Sequence, residues 1–95
     1  MMNVITIKNL RISITGKVQN VGFRYHARQM AEVIGVYGYV KNMYDASVFI
    51  EVEGSIDKVN EFVDWCKKGP PRATVEDIEI DEGDFNNFKE FKVVF

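Results

Sequence analysis

Arg24 and Asn42 are the residues of this sequence best equipped to act on an anionic substrate. Arg24 closes the run Gly16-Lys17-Val18-Gln19-Asn20-Val21-Gly22-Phe23-Arg24, which lies between a strand-like and a helix-like stretch and has glycine near each end. A loop of this composition can turn several backbone N–H groups toward one point. The helix that follows adds unpaired donors and a partial positive charge. Arg24, in the first helical turn, adds a planar cationic fork suited to phosphate or carboxylate oxygens. Together these features make an oxyanion cradle, although the same glycines would also serve a tight strand-to-helix turn with no ligand. The run is not the phosphate loop of nucleotide hydrolases. That loop ends in Gly-Lys-Ser/Thr, whereas Phe23 and Arg24 follow Gly22 here. Asn42 ends a second strand-like run just before a hairpin connection, a place asparagine also takes for its turn chemistry alone.

The elements that must position these residues are legible from periodicity. Leu10, Ile12 and Ile14 alternate with Arg11, Ser13 and Thr15, which predicts a half-buried strand ending near Gly16. Phe23, Ala27, Met30, Ala31 and Ile34 form one apolar helical stripe, closed by Gly35. Val36 to Asn42 reads as a strand, Met43-Tyr44-Asp45-Ala46 as a hairpin connection, and Val48, Ile50 and Val52 as the apolar face of a third strand. Ser55 is placed to cap a second helix, with Asp57 in its first turn. Ile56, Val59, Phe62, Val63 and Cys66 form its inner stripe, and Gly69-Pro70-Pro71 stops it. Val75, Ile78 and Ile80 mark a fourth strand, whose change of parity predicts a bulge between Val75 and Ile78. Phe91, Val93 and Phe95 mark a last strand. This order predicts an α+β fold: a ferredoxin-like split βαβ sandwich, with an antiparallel sheet and two helices on one face.

With 95 residues, the chain is sized for one domain, expected to span 1–95. Residues 1–9 read either as a loosely ordered extension or, through Val4, Ile5 and Ile7, as more of the first strand. Twelve basic against fourteen acidic side chains leave a net charge of −2, which argues against a dedicated nucleic-acid binder. One cysteine cannot form an internal disulfide, and one histidine rules out a His-based zinc site by count. No run is long and apolar enough for a signal peptide or a membrane span, so a cytoplasmic protein is expected. Nothing in the sequence demands more than a monomer.

Two separated motifs carry a resemblance. The run Gly16 to Arg24 resembles the phosphate-binding signature of the acylphosphatases. Gly38-Tyr39-Val40-Lys41-Asn42 resembles that family's second signature, and Gly69-Pro70-Pro71-Arg72-Ala73-Thr74-Val75-Glu76 its segment after the second helix. The similarity runs from about Leu10 to Phe95. It implies hydrolysis of the carboxyl–phosphate bond of acyl phosphates without metal or cofactor. It also implies that Arg24 holds the phosphoryl group, that Asn42 orients the attacking water, and that the loop Lys17, Val18, Gln19, Asn20, Val21 and Gly22 supplies backbone N–H donors to a phosphate or similar anion. Asn20 stands where the family usually has glycine, and Ala46 where it often does. Asparagine is the next-best residue for a left-handed backbone, so the loop should keep its shape while a side chain narrows the cradle.

Other conspicuous residues read as structural. His26 lies two positions after Arg24 and is expected to point away from Arg24's face of the helix. Cys66 and Trp65 read as packing residues, and Lys17 as a solvated charge or a source of positive potential. Glu51 and Glu53 share a strand face and read as solvent-facing charges. Two other functions stay open at this level. One is a catalytically weakened phosphate- or acyl-phosphate-binding module, suggested by Asn20. The other is RNA binding through Tyr37 and Tyr39, which share a strand face but lack that family's glycine–aromatic signature and any basic surplus.

Overall fold

The computed structural model describes residues 5–95. Seven elements follow in order: β1 (Ile7–Lys17), α1 (Phe23–Ile34), β2 (Tyr37–Asn42), β3 (Val48–Ser55), α2 (Ile56–Lys68), β4 (Thr74–Glu82) and β5 (Phe91–Val94). They build one five-stranded sheet in the order β4-β1-β3-β2-β5 with two helices, the expected ferredoxin-like α+β arrangement. β1 begins at Ile7, so the strand reaches three residues before Leu10; Val4 lies outside the described residues.

The alternation in the sequence sorts side chains onto two faces. Leu10, Ile12 and Ile14 of β1, Val40 of β2, and Val48, Ile50 and Val52 of β3 are all buried on one face. The helices close that face with Phe23, Ala27 and Ala31 of α1 and Val59, Phe62, Val63 and Cys66 of α2. Trp65, half-buried, bridges the two helices through Phe23, with ring centroids 5.3 Å apart.

The bulge lies within the expected interval. β1 pairs Thr15 with Asp77 and Gly16 with Val75, leaving Glu76 as the extra residue. Ser55 occupies the N-cap position of α2, but its hydroxyl makes no capping bond.

Glu51 and Glu53 are not the solvent-facing charges that strand alternation leads one to expect. Both are buried, at 6% and 2% exposure, because residues 83–90 cross over the face of the sheet opposite the helices. Strand alternation shows which side chains share a face, but it does not show what covers that face.

The topology decides where loops meet. β1 and β2 both lie antiparallel to β3, so they run parallel to each other, and β5 runs parallel to β2. The C-terminal ends of β1, β2 and β5 therefore lie at the same end of the sheet.

Candidate active site

At that end lies a cleft of about 630 Å³, walled by the loop after β1, the first turns of α1, the end of β2, and β5. Two glycines allow the loop to make its turns. Gly16 has φ 126°, and an added Cβ would sit 2.2 Å from the Thr74 carbonyl oxygen, so only glycine lets β1 pass β4 here. Gly22 takes the N-cap of α1 in a left-handed conformation, with φ 77° and ψ 18°. Between them Asn20 is also left-handed, at φ 60°.

The two helices end differently at their N-termini. α2 has an acidic residue, Asp57, in its first turn and Lys67 and Lys68 in its last, which offsets its dipole. α1 opens with no side-chain cap bond and no acidic residue in its first turn. Its positive end is thus not offset by a side-chain cap or a first-turn carboxylate. Phe23, buried against Trp65, anchors this turn at the residue before Arg24.

Arg24 and Asn42 line the same cleft, with Val18, Asn20 and Gly22 of the loop. The Arg24 guanidinium donates to the Val94 carbonyl from Nη1 at 3.3 Å and lies 4.8 Å from the centroid of the Phe95 ring. Asn42 Oδ1 is buried and receives no hydrogen bond from the described residues. A buried amide oxygen ordinarily has a donor, so this atom is suited to receive one from a molecule in the cleft. Two exposed ion pairs flank the mouth: Arg28 with Glu32 at 3.7 Å, and Lys92 with Glu90 at 3.5 Å.

The other three loop residues turn their side chains elsewhere. Lys17 is exposed and Val21 is buried in the core. Gln19 has a role that the sequence did not announce. Its Nε2 donates to the carbonyls of Met43 and Ser47, each at 2.9 Å, tying the loop to the hairpin that follows Asn42. Val94 and Phe95 were likewise not foreseen as partners of Arg24. Their approach depends on the parallel pairing of β5 with β2, a contact remote in sequence. His26 is not among the cleft-lining residues; it sits against Gly22 and the edge of the Tyr25 ring.

The family model for acylphosphatase matches residues 10–93. An acylphosphatase of Thermotoga maritima is 40% identical over 89 residues, covering 94% of this chain and 99% of its own. One from Acaryochloris marina is 37% identical over 94 residues, covering 99% and 98%. The crystal structure of the Bacillus subtilis acylphosphatase superimposes with a TM-score of 0.89 at 34% identity, over 95% of this chain and all of that one. Sequence and fold thus agree along almost the whole length: the chain belongs to the acylphosphatase family of enzymes.

Proposed function

We propose that this chain, as a single domain, hydrolyses acyl phosphates by in-line attack of water on a phosphoryl group held in the cleft. The observation that carries this reading is the pairing of an uncompensated helix N-terminus and Arg24 with the free buried acceptor of Asn42 in one cleft. The phosphoryl oxygens would take hydrogen bonds from Arg24 and from backbone N–H groups between Lys17 and Gly22. Asn42 Oδ1 would accept from the water and aim its lone pair at phosphorus.

The chemistry needs little more. A new bond forms from the water oxygen to phosphorus as the bond from phosphorus to the carboxyl oxygen breaks. The electron pair leaves with a carboxylate whose conjugate acid has a pKa of about 4 to 5, so no general acid is required. Phosphoryl transfer passes through a loose transition state with charge spread over the phosphoryl oxygens, and catalysis is mostly positioning and electrostatic stabilisation. Asparagine is a poor base, and the water's proton passes to the phosphate product or to solvent. The products are a carboxylate and inorganic phosphate.

Hydrolysis of benzoyl phosphate in ¹⁸O-labelled water, with a chelator present, tests this reading. The label should appear in phosphate. Label in benzoate would mean attack at carbon and would contradict the role given to Asn42.

A further inference from the structure

The face of the sheet away from the helices holds a buried cluster that this mechanism does not use. Asn9 Nδ2 donates to Glu51 at 3.0 Å and to Glu53 at 2.9 Å, and the Tyr39 hydroxyl donates to Glu51 at 3.1 Å. The remaining donors come from the segment 83–90, which joins β4 to β5. The backbone N–H groups of Asn86 and Phe88 donate to Glu53 at 2.7 and 2.9 Å, and the Asn86 side chain donates to Glu51 at 2.6 Å. The Phe88 ring meets Tyr39 edge-on, with centroids 5.9 Å apart. The segment is also fixed at both ends: Gly83 N–H donates to the Asn9 carbonyl and Gly38 N–H to the Glu90 carbonyl, each at 2.9 Å.

This segment leads into β5, a four-residue edge strand paired only with β2. β5 and the residue after it supply both contacts to Arg24, the Val94 carbonyl and the Phe95 ring. Burying two carboxylates is costly, and an apolar surface would cover the sheet at less expense. Carboxylates have one property that apolar groups lack: they fix particular backbone N–H groups in place. We infer that Glu53, assisted by Glu51, is a positioning residue for the active site: it pins the 83–90 segment, so sets β5, and thereby pre-orients Arg24. The inference rests on the reading that Arg24 holds the phosphoryl group.

Glu53→Gln tests it. Glutamine keeps the shape but turns an amide NH₂ toward N–H donors, so at least one strap bond is lost. Three quantities are measured well below the unfolding temperature: amide hydrogen exchange, the Kd of inorganic phosphate, and KM and kcat for benzoyl phosphate. Exchange at residues 86–94 should rise. The phosphate Kd and KM should rise together, by about three- to tenfold, the cost of ordering one long side chain on binding. kcat should change by less than about twofold, as expected when binding is lost equally from ground and transition states. Faster exchange with an unchanged phosphate Kd would overturn the link to Arg24, and unchanged exchange would overturn the strap itself. Asn86→Ala, which removes the side-chain bonds to Glu51 and to the Asp84 carbonyl but keeps the backbone bond to Glu53, provides a milder version should the glutamine variant not fold. Wild-type turnover tests the reading of the site separately, because the Kd ratio can be measured whether or not turnover occurs.

Discussion

Asn20 is the loop residue at which the resemblance to the acylphosphatase signature leads one to expect glycine. It holds φ 60° and lines the cleft, so the backbone turn is kept while a side chain is added. Asparagine tolerates this conformation better than other non-glycine residues, and we propose that its amide narrows the cradle or competes for a loop N–H. Asn20→Gly is therefore expected to lower the phosphate Kd several-fold. An unchanged Kd, read by calorimetry, would show that the side chain does not obstruct the site. That Arg24 and Asn42 reach one place was legible only through the resemblance of their two motifs to one family, since periodicity gives each element but not which strand ends meet; both line the same cleft. Glu51 and Glu53 were misread for a related reason. Their burial depends on a segment more than thirty residues away, whose own sequence carries no periodic signal. Cys66 matched its reading: it is fully buried, and burial pushes its thiol well above the ordinary range, leaving it unreactive in the folded protein.

Helices and strands were legible wherever one face is buried, since apolar spacing then reports the element directly. The bulge at Glu76 was legible because a change of parity within a strand requires an extra residue. The N-cap of α2 was legible as a position, Ser55, but its capping bond was not, because Ser55 remains in β3 and its hydroxyl does not turn back to the helix. The β2–β3 hairpin carries local strain. Met43 and Ser47 close it with a bond of 2.9 Å from Met43 N–H to the Ser47 carbonyl, and Asp45 Oδ1 accepts from Ser47 N–H at 3.0 Å. Ala46 is held at φ 74°, where an L side chain is disfavoured. Ala46→Gly should stabilise the protein by about 0.5–1 kcal/mol, the left-handed penalty less the entropy glycine loses on folding. Urea denaturation measures this, and a destabilised variant would contradict it. β4, the other sheet edge, carries Glu76, Asp77, Glu79, Asp81 and Glu82, and such a row of charge opposes pairing with a second chain.

At the scale of the whole molecule, the sheet brings three strand ends to one site and places a carboxylate cluster on its opposite face. No helix among the described residues is long and apolar enough to cross a membrane. The cluster makes stability depend on acid. Burial pushes the Glu53 carboxyl up, but the hydrogen bonds from Asn86, Asn9 and Phe88 outweigh this and hold it below the ordinary carboxylate value. A carboxyl depressed in the folded state stabilises fully above its unfolded value, about 4.3, and loses that contribution as pH falls through the lower folded value. The difference in Tm between wild type and Glu53→Gln should therefore be constant near neutrality and shrink below about pH 4.3. A difference that persists undiminished down to pH 2 would show that the ionised carboxylate is not what holds the segment.

Steady-state hydrolysis of benzoyl phosphate, with chelator, by wild type, Arg24→Ala and Asn42→Ala separates the work of Arg24 from that of Asn42. Arg24→Ala should lose binding and rate together, by about a thousandfold in kcat/KM, the scale of removing a principal charge-stabilising donor. Asn42→Ala should lose about a hundredfold in kcat with little change in KM or in inhibition by inorganic phosphate. Full turnover in Asn42→Ala would show that Asn42 does not orient the attacking water.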